Sequence, residues 1–507
     1  MQAMVRGIGS KRPVILLVLV TLVLSVGPLS AQGLPAGDVY KKKRVSAEYA
    51  SADRSQKLRD TQSLREHLLG RKTFAKATGY LRDYRIAQMT QFDEATLAEL
   101  PEFRRKFLKE TVLLVGITEA RHQEVVDLAF NELKVIAVEN YHPAVKYNAI
   151  SLIGDLHQTE GQKNGSTRSA PVPYQPATDF LISLLQSPSS SEADKIAALR
   201  GIWTHSMYHH TLEAKDQIPS ATVQAISTEM TKILDSQPAS EISQSVHEWK
   251  QRRAISTLAA IGETGGGNAV FNRLRNLMND KNSSLPIRLE ALEGVVKLRP
   301  SGLADAEVEK VAQEIATVGV EICFSAVSES RKKLDIAALH GKKEAKVVTR
   351  RNSGGGGGDK GGDVGGAAGA AGSGGGRGAR QAAGTNRAGG DTSGQVPVSD
   401  LGVFEVENVK LFLRTNITVI HTNLKGTKRK AGGIHEWEGQ SHKAYVSQLT
   451  ENFVSILELT EDANADFLSI EMFTDEVESR LTPLARSLGL PLPQPRQGSD
   501  KTLVGGG

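Results

Sequence analysis

The run His-Ser-Met-Tyr-His-His at positions 205 to 210 is the pattern in this chain that most resembles a site for chemistry. On a helix, His205 and His209 are four residues apart and can place two imidazoles on one metal ion. A metalloprotease helix of the HExxH type needs Glu after the first histidine, whereas position 206 is Ser. No third ligand is identifiable. We therefore expect His205, His209 and His210 to cap or line a helix end, with a metal-binding or enzymatic role as the alternative.

A second cluster of polar and aromatic residues is IHEWEGQSHKAY at 434–445, where His435 and His442 flank Trp437. A ligand site is one interpretation of this cluster, and we expect it instead to pack a loop onto helices. The chain contains no G-x-S-x-G elbow, P-loop or EF-hand loop, and no paired carboxylates in a recognisable frame. We predict no catalytic residue, no metal ligand and no cofactor, and hence a protein that is not an enzyme.

The single cysteine, Cys323, excludes an intrachain disulfide and any cysteine-based zinc site. It lies in the apolar stretch GVEICFSAV, where a small buried hydrophobic residue is expected rather than a nucleophile.

The N-terminal residues 1–31 have the three-part layout of a secretory signal peptide. A cationic stretch ends at Arg12, an apolar run covers 14–26, and small residues lead to a cleavage site between Ala31 and Gln32. This run of thirteen residues spans only about 20 Å, short of a ~30 Å hydrocarbon core. We predict an exported protein of a bacterial periplasm, envelope or extracellular space, with an uncleaved signal anchor as the alternative. No later segment approaches 18 continuous apolar residues, so no transmembrane segment is expected after signal removal.

Residues 73–348 follow a helical pattern, in which a short signature recurs. It consists of Ala, an aliphatic residue, two variable residues and a further aliphatic or small residue. Its four copies begin at Ala149, Ala198, Ala254 and Ala291, at spacings of 49, 56 and 37 residues. Periods of this size indicate stacked helix pairs, and the small residue allows neighbouring helices to approach closely. Two copies have a proline, Pro143 and Pro286, just inside the predicted helix, where its missing N–H costs nothing.

The segments HPAVKYNAISLIGDL (142–156) and LPIRLEALEGVVKLRP (285–300) resemble second helices of HEAT repeats. The resemblance covers roughly residues 100–300, and the loop at 161–176 departs from a uniform array. It implies an all-α fold, an α-α superhelix of armadillo-like type with a concave surface for partners. It implies no activity, because such repeats serve mostly as scaffolds and adaptors.

A glycine-rich segment separates these repeats from further helices. Residues 354–394 contain 19 of the 49 glycines, and we predict a disordered linker or insertion over 349–398. Three apolar stripes then predict helices within 399–490, as a small bundle or as the last repeats. The stripes are Val406, Val409, Leu413, Ile417, Ile420 and Leu424; Tyr445, Leu449, Phe453 and Ile456; and Phe467, Ile470, Phe473, Val477, Leu481 and Leu484. A polar segment at 32–72, a tether or a loosely packed first helix, and a flexible tail at 491–507 complete the organisation.

Charge is unevenly distributed along the chain. The formal net charge is +5. Residues 325–430 have 18 basic and 9 acidic residues, and residues 431–507 have 5 basic and 12 acidic ones. The basic block could dock a polyanion, but aromatic residues are not interleaved with it, so nucleic acid is not favoured.

These observations favour an exported scaffold or adaptor that binds a protein or peptide partner through the surface of a helical solenoid. Buried aromatic and arginine anchors dominate such contacts. The partner-binding residues we select are Trp203 and Trp249, a choice that requires that they are not both fully buried. The alternatives are a metal-binding or enzymatic protein using the histidines at 205–210, and a binder of polyanions or envelope surfaces using 325–430.

Overall fold

The computed structural model describes residues 39–161, 163–164, 167–240, 242–262, 267–300, 302–351, 398–426, 433–437, 439–461 and 470–492. Side chains are described for all of these except 163–164, 167–168, 334–351 and 398–405. Within these ranges the chain forms sixteen α-helices and four strands of two or three residues, which confirms the predicted all-α fold class. The chain divides into two compact units, Met1–Ile261 and Gly262–Gly507, and each is described by itself.

The first unit contains helices α1 to α10. Their bounds are Ala47–Ala50, Arg54–Leu68, Ala77–Tyr80, Glu94–Glu110, Glu119–Val138, Pro143–Ile153, Gln175–Gln186, Glu192–Ser206, Ser220–Asp235 and Gln244–Ile261. A π-helical turn continues α3 at Leu81–Ile86, and a 3-10 turn follows α8 at His209–Thr211. Strands β1 to β4 are His157–Thr159, Lys163–Asn164, Thr167–Arg168 and Val172–Pro173.

Consecutive helices of this unit pack in pairs, α5 with α6, α7 with α8, and α9 with α10. The second helix of each pair also packs against the second helix of the next, so that α6, α8 and α10 form one row. Each helix of the row carries the signature and buries its alanine, since Ala149, Ala198 and Ala254 are nearly inaccessible. Helices that pack against sequence neighbours in this way are compatible with an α-solenoid.

The closest approach in the row joins Gly154, directly after α6, to Gly201 within α8. A methyl group added at Gly201 would lie 2.8 Å from the Gly154 Cα and 2.7 Å from the Leu181 Cδ1, too close for any real side chain. The two backbones come this near because neither position has a side chain. The small-residue requirement inferred from the signature therefore applies to this glycine pair as well as to the alanines.

Proline at helix starts is confirmed. Helix α6 begins at Pro143, and the His142 side chain caps it by accepting the Ala144 N–H at 3.2 Å. In the second unit Pro286 occupies the first turn of a helix that begins at Leu285. At both positions the absent N–H has no partner within the helix to lose.

Two segments are more ordered than the sequence patterns indicate. From residue 39 onward the polar segment is packed, because the Lys41 N–H donates to the Asn140 carbonyl at 2.7 Å and α2 buries Leu64 and Leu68. Within the loop predicted at 161–176 and the residues just before it, β1 pairs with β4 and β2 pairs with β3, both antiparallel. Strands of two or three residues are too short to show the alternation that predicts a strand.

The second unit contains helices α11 to α16, at Ala269–Asn279, Leu285–Leu298, Asp305–Arg351, Val398–Lys425, Ser441–Glu461 and Ile470–Ser487, with a 3-10 turn at Ile434–Glu436. Helices α11 and α12 form a pair, and α13 packs against α14, α15 and α16. The predicted stripes on α14 and α16 are buried throughout their described residues. On α15, Tyr445 is only half-buried and Val446 takes its place in the core, while Phe467 lies outside the described residues.

Among the residues that the structure describes, one helical segment is long and apolar enough to cross a membrane, judged by length and composition alone. It is Asp305–Lys333 of α13. Sixty-one per cent of its most apolar 18-residue window is buried inside the unit. A core helix of a globular protein has the same two properties. The fully buried Cys323 and the contact between Gly319 and the Phe453 ring place this helix in the core.

Replacing Gly201 by Ala tests the close approach of α6 and α8. We expect Gly201→Ala to destabilise the first unit by about 1–3 kcal/mol, because the new methyl forces backbone or Leu181 to move. Urea unfolding followed by circular dichroism measures the change. The matched control is Gly79→Ala, where an added methyl meets only the Asp83 Oδ2, at 3.7 Å. Equal stability of both variants would contradict the constraint.

Candidate functional site

Trp203 and Trp249 both contact the guanidinium group of one arginine. Trp203 is in the last turn of α8, and Trp249 and Arg253 are one turn apart on α10. The guanidinium carbon of Arg253 is 4.4 Å from the centre of the Trp203 ring and 5.8 Å from that of Trp249. These distances are those of cation–π contacts, in which the negative face of each indole attracts the cation.

Helix stacking brings the three side chains together. Helices α8 and α10 are neighbours in the row, and each buries its signature alanine, Ala198 or Ala254. An ion pair between Lys250 Nζ and Glu192 Oε2, at 2.8 Å, joins the same two helices. Residues four apart share a helix face, so Trp249 and Arg253 point the same way.

Trp203, Trp249 and Arg253 are all half-buried, so each keeps part of its surface accessible to solvent. The condition set for the tryptophans as partner-binding residues is therefore met, although their role stays a prediction. Aromatic rings held rigidly by a neighbouring cation lose little conformational freedom when a partner binds.

Two further arginines, Arg200 and Arg104, belong to the same region. Arg200, one turn before Trp203, pairs with Asp155 at 3.0 Å. Burial lowers the pKa of the Arg104 side chain on α4; Asp155 raises that pKa and Arg200 lowers it, which shows that the three charges are close. We name Arg104, Arg200, Trp203, Arg253 and Trp249 the arginine–tryptophan row. Its sequence signal was the two tryptophans, whereas the arginines gave none, because their contacts depend on how helices from different parts of the chain pack together.

The histidines at 205–210 do not share a helix face, because α8 ends at Ser206. His205 is fully buried, and its Nδ1 lies 2.8 Å from the Thr178 hydroxyl. His209 is in the 3-10 turn, accepts the Ile218 N–H at 3.3 Å, and contacts the His210 ring. Over the described ranges, no group of three or more His, Cys, Asp and Glu side chains could hold a metal ion.

A histidine pair that the sequence analysis missed lies at the same place. The ring of His157, at the start of β1, is 5.8 Å from that of His205, and the Nε2 of His157 is buried with no hydrogen-bond partner among the described residues. The two residues are 48 positions apart, close to the 49-residue spacing of their two repeats. The two histidines thus occupy nearly equivalent positions in successive repeats, and this equivalence is the sequence signal that could have identified them.

Other sequence predictions fall partly outside the described residues. The signal peptide with its cleavage site at Ala31 and Gln32 lies outside them, and so does most of the glycine-rich segment. Of the basic block at 325–430, Arg331 pairs with Asp475 and Glu478, both at 2.7 Å. Burial raises the pKa of the Cys323 thiol, which keeps it protonated and unreactive.

No protein-family model matches this chain, and neither a curated protein nor a solved structure gave a match. Family membership is therefore not established, and the function has to be inferred from geometry.

Burial lowers the pKa of His205 to about 3, with a smaller contribution from His157. In the unfolded chain a histidine titrates near 6.5. Between pH 6 and 4 the unfolded state therefore binds a proton that the folded state excludes. As the pH is lowered through this range, the free energy of unfolding falls by about 1.4 kcal/mol for each pH unit. We expect His205→Gln to remove this one-proton slope in urea titrations. Thr178→Val, which keeps the buried imidazole, should retain it; identical slopes for His205→Gln and the parent chain would refute the assignment.

Proposed function

We propose that this protein is an exported, non-enzymatic scaffold or adaptor, built on HEAT-like helix pairs, that binds a protein or peptide partner. The support for the repeat architecture is the pairing of successive helices and the row formed by α6, α8 and α10. The support for export is the pattern of residues 1–31. Binding occurs by surface complementarity over several repeats, without a chemical step.

The observation that carries the proposal is the contact of Arg253 with both Trp203 and Trp249. Trp and Arg are the residue types most enriched at positions that dominate binding energy, and here they form one half-buried cluster on two adjacent helices. A cluster that served only the core would be fully covered, as Ile202 and Leu258 are. Arg104 and Arg200 both interact with the carboxylate of Asp155, so this part of the row favours a partner segment that is acidic or rich in carbonyl acceptors.

Capture from envelope and periplasmic extracts tests the proposal. The chain from residue 32 onward is immobilised, and the retained proteins are compared with those held by Trp203→Ala and Trp249→Ala. We expect each substitution to lower recovery of the specific partner at least tenfold, because loss of a dominant anchor costs about 2 kcal/mol or more.

The control is Phe412→Ala, which removes a more exposed aromatic ring, 40% accessible, in the second unit. Recovery should be unchanged in this control and in a chain that lacks residues 354–394. Undiminished recovery by both tryptophan variants would contradict the proposed anchors. Loss of the partner on deleting 354–394 would move recognition to the glycine-rich segment, and binding that collapses at moderate salt would favour a polyanion instead.

A further inference from the structure

The second unit contains a cavity of about 460 Å³ that is independent of the arginine–tryptophan row. Its charged lining is Arg299, Asp305 and Glu436, and its apolar lining includes Leu303, Val308 and Trp437. A volume of this size, with an apolar wall and a few convergent polar groups, is typical of a small-molecule site.

Helix ends and a turn form the cavity. Helix α12 ends at Leu298 with Arg299 as its C-terminal cap, and α13 begins at Asp305, so both side chains lie at the connection between the two helices. The 3-10 turn at Ile434–Glu436 and the following Trp437 supply the facing wall. Gly439 packs so closely on the Asp305 carboxylate that any side chain there would overlap it.

Asp305 is held in one orientation. Its carboxylate accepts a hydrogen bond from the Ser441 hydroxyl, and its Oδ1 is 3.1 Å from the Nδ1 of the fully buried His442. These hydrogen bonds lower the pKa of Asp305, so the carboxylate is ionised at neutral pH. With two lone pairs on each oxygen, it can accept further donors from a ligand.

Arg299 occupies a conformation that favours glycine, with φ 42° and ψ 64° at the C-terminal cap of α12. Left-handed backbone at a residue with a side chain carries a cost that glycine would avoid. The Arg299 Nη2 is 3.5 Å from the Glu436 Oε2, a long contact that leaves the other guanidinium donors available. A cation is thus kept in the cavity at a position where a neutral glycine would be more stable.

We propose that this cavity binds a small zwitterion of amino-acid type with an apolar side chain. Its ammonium group binds between Asp305 and Glu436, and its carboxylate binds Arg299. The apolar side chain packs on Leu303, Val308 and the Trp437 indole. The cavity presents charges of both signs, so it favours a ligand that carries both over a ligand with only one charge.

Calorimetric titration of the full chain with three probes that share one aromatic body tests the proposal. The probes are L-phenylalanine, which is a zwitterion, phenethylamine, which is only a cation, and 3-phenylpropionate, which is only an anion. We expect phenylalanine to bind at least tenfold more tightly than either analogue. An amine that binds as tightly as phenylalanine, or no heat from any probe at 10-fold excess over millimolar protein, would overturn the proposal.

Substitutions of the charged residues distinguish a loss of ligand binding from a loss of folding. Arg299→Gly should weaken phenylalanine binding about tenfold while the melting temperature stays equal or rises, because the strained residue becomes glycine. Glu436→Gln should also weaken binding, whereas Glu458→Gln, an exposed acid of α15 outside the cavity, should not. Unchanged affinity in a folded Arg299→Gly variant would overturn the proposal. None of these outcomes bears on partner capture through the first unit.

Discussion

The first unit depends on how closely α6 and α8 approach, and that approach is fixed by the absence of side chains at Gly154 and Gly201. A helix surface cannot be moved by the width of a methyl group without disturbing every contact along it. The buried alanines of the signature extend the same requirement to α10. Small residues thus set the distance between neighbouring helices of the row α6, α8 and α10. The larger side chains beside these contacts occupy the positions that this distance allows.

The arginine–tryptophan row is a consequence of that spacing. Exposed ion pairs such as Lys195 with Glu192 contribute between 0 and about 1 kcal/mol, too little to determine how helices pack. Contact of Arg253 with two indoles is worth about 0.5–2 kcal/mol per ring and orders the side chains rather than the helices. Packing places the helices, and the cation then contacts two half-buried rings and restricts their orientation.

Sequence patterns predicted the elements better than the sites. Helical stripes on α14 and α16, the buried signature alanines and the proline starts follow from periodicity and backbone chemistry, which act within a few residues. The tryptophans could be selected by type, but Arg253 as their partner could not, because its position depends on which turn of α10 faces α8. The cavity in the second unit is formed by Arg299, Asp305 and Trp437, which are more than 130 residues apart along the chain at its extremes. The composition of residues 434–445 indicated a cluster around Trp437, whereas nothing in the sequence indicated that Asp305 lines the same cavity.

The most direct test of the central claim is photo-crosslinking in the source cells from position 207. Met207 directly follows α8, is 43% exposed and lies beside the row, so a photoreactive residue there leaves both tryptophans intact. We expect one partner to be crosslinked from position 207, and this product to be lost when Trp249→Ala is added. The same product should not form from position 412. A product from position 207 that persists after both tryptophans are removed, or the same product from position 412, would contradict the assignment of binding to this surface.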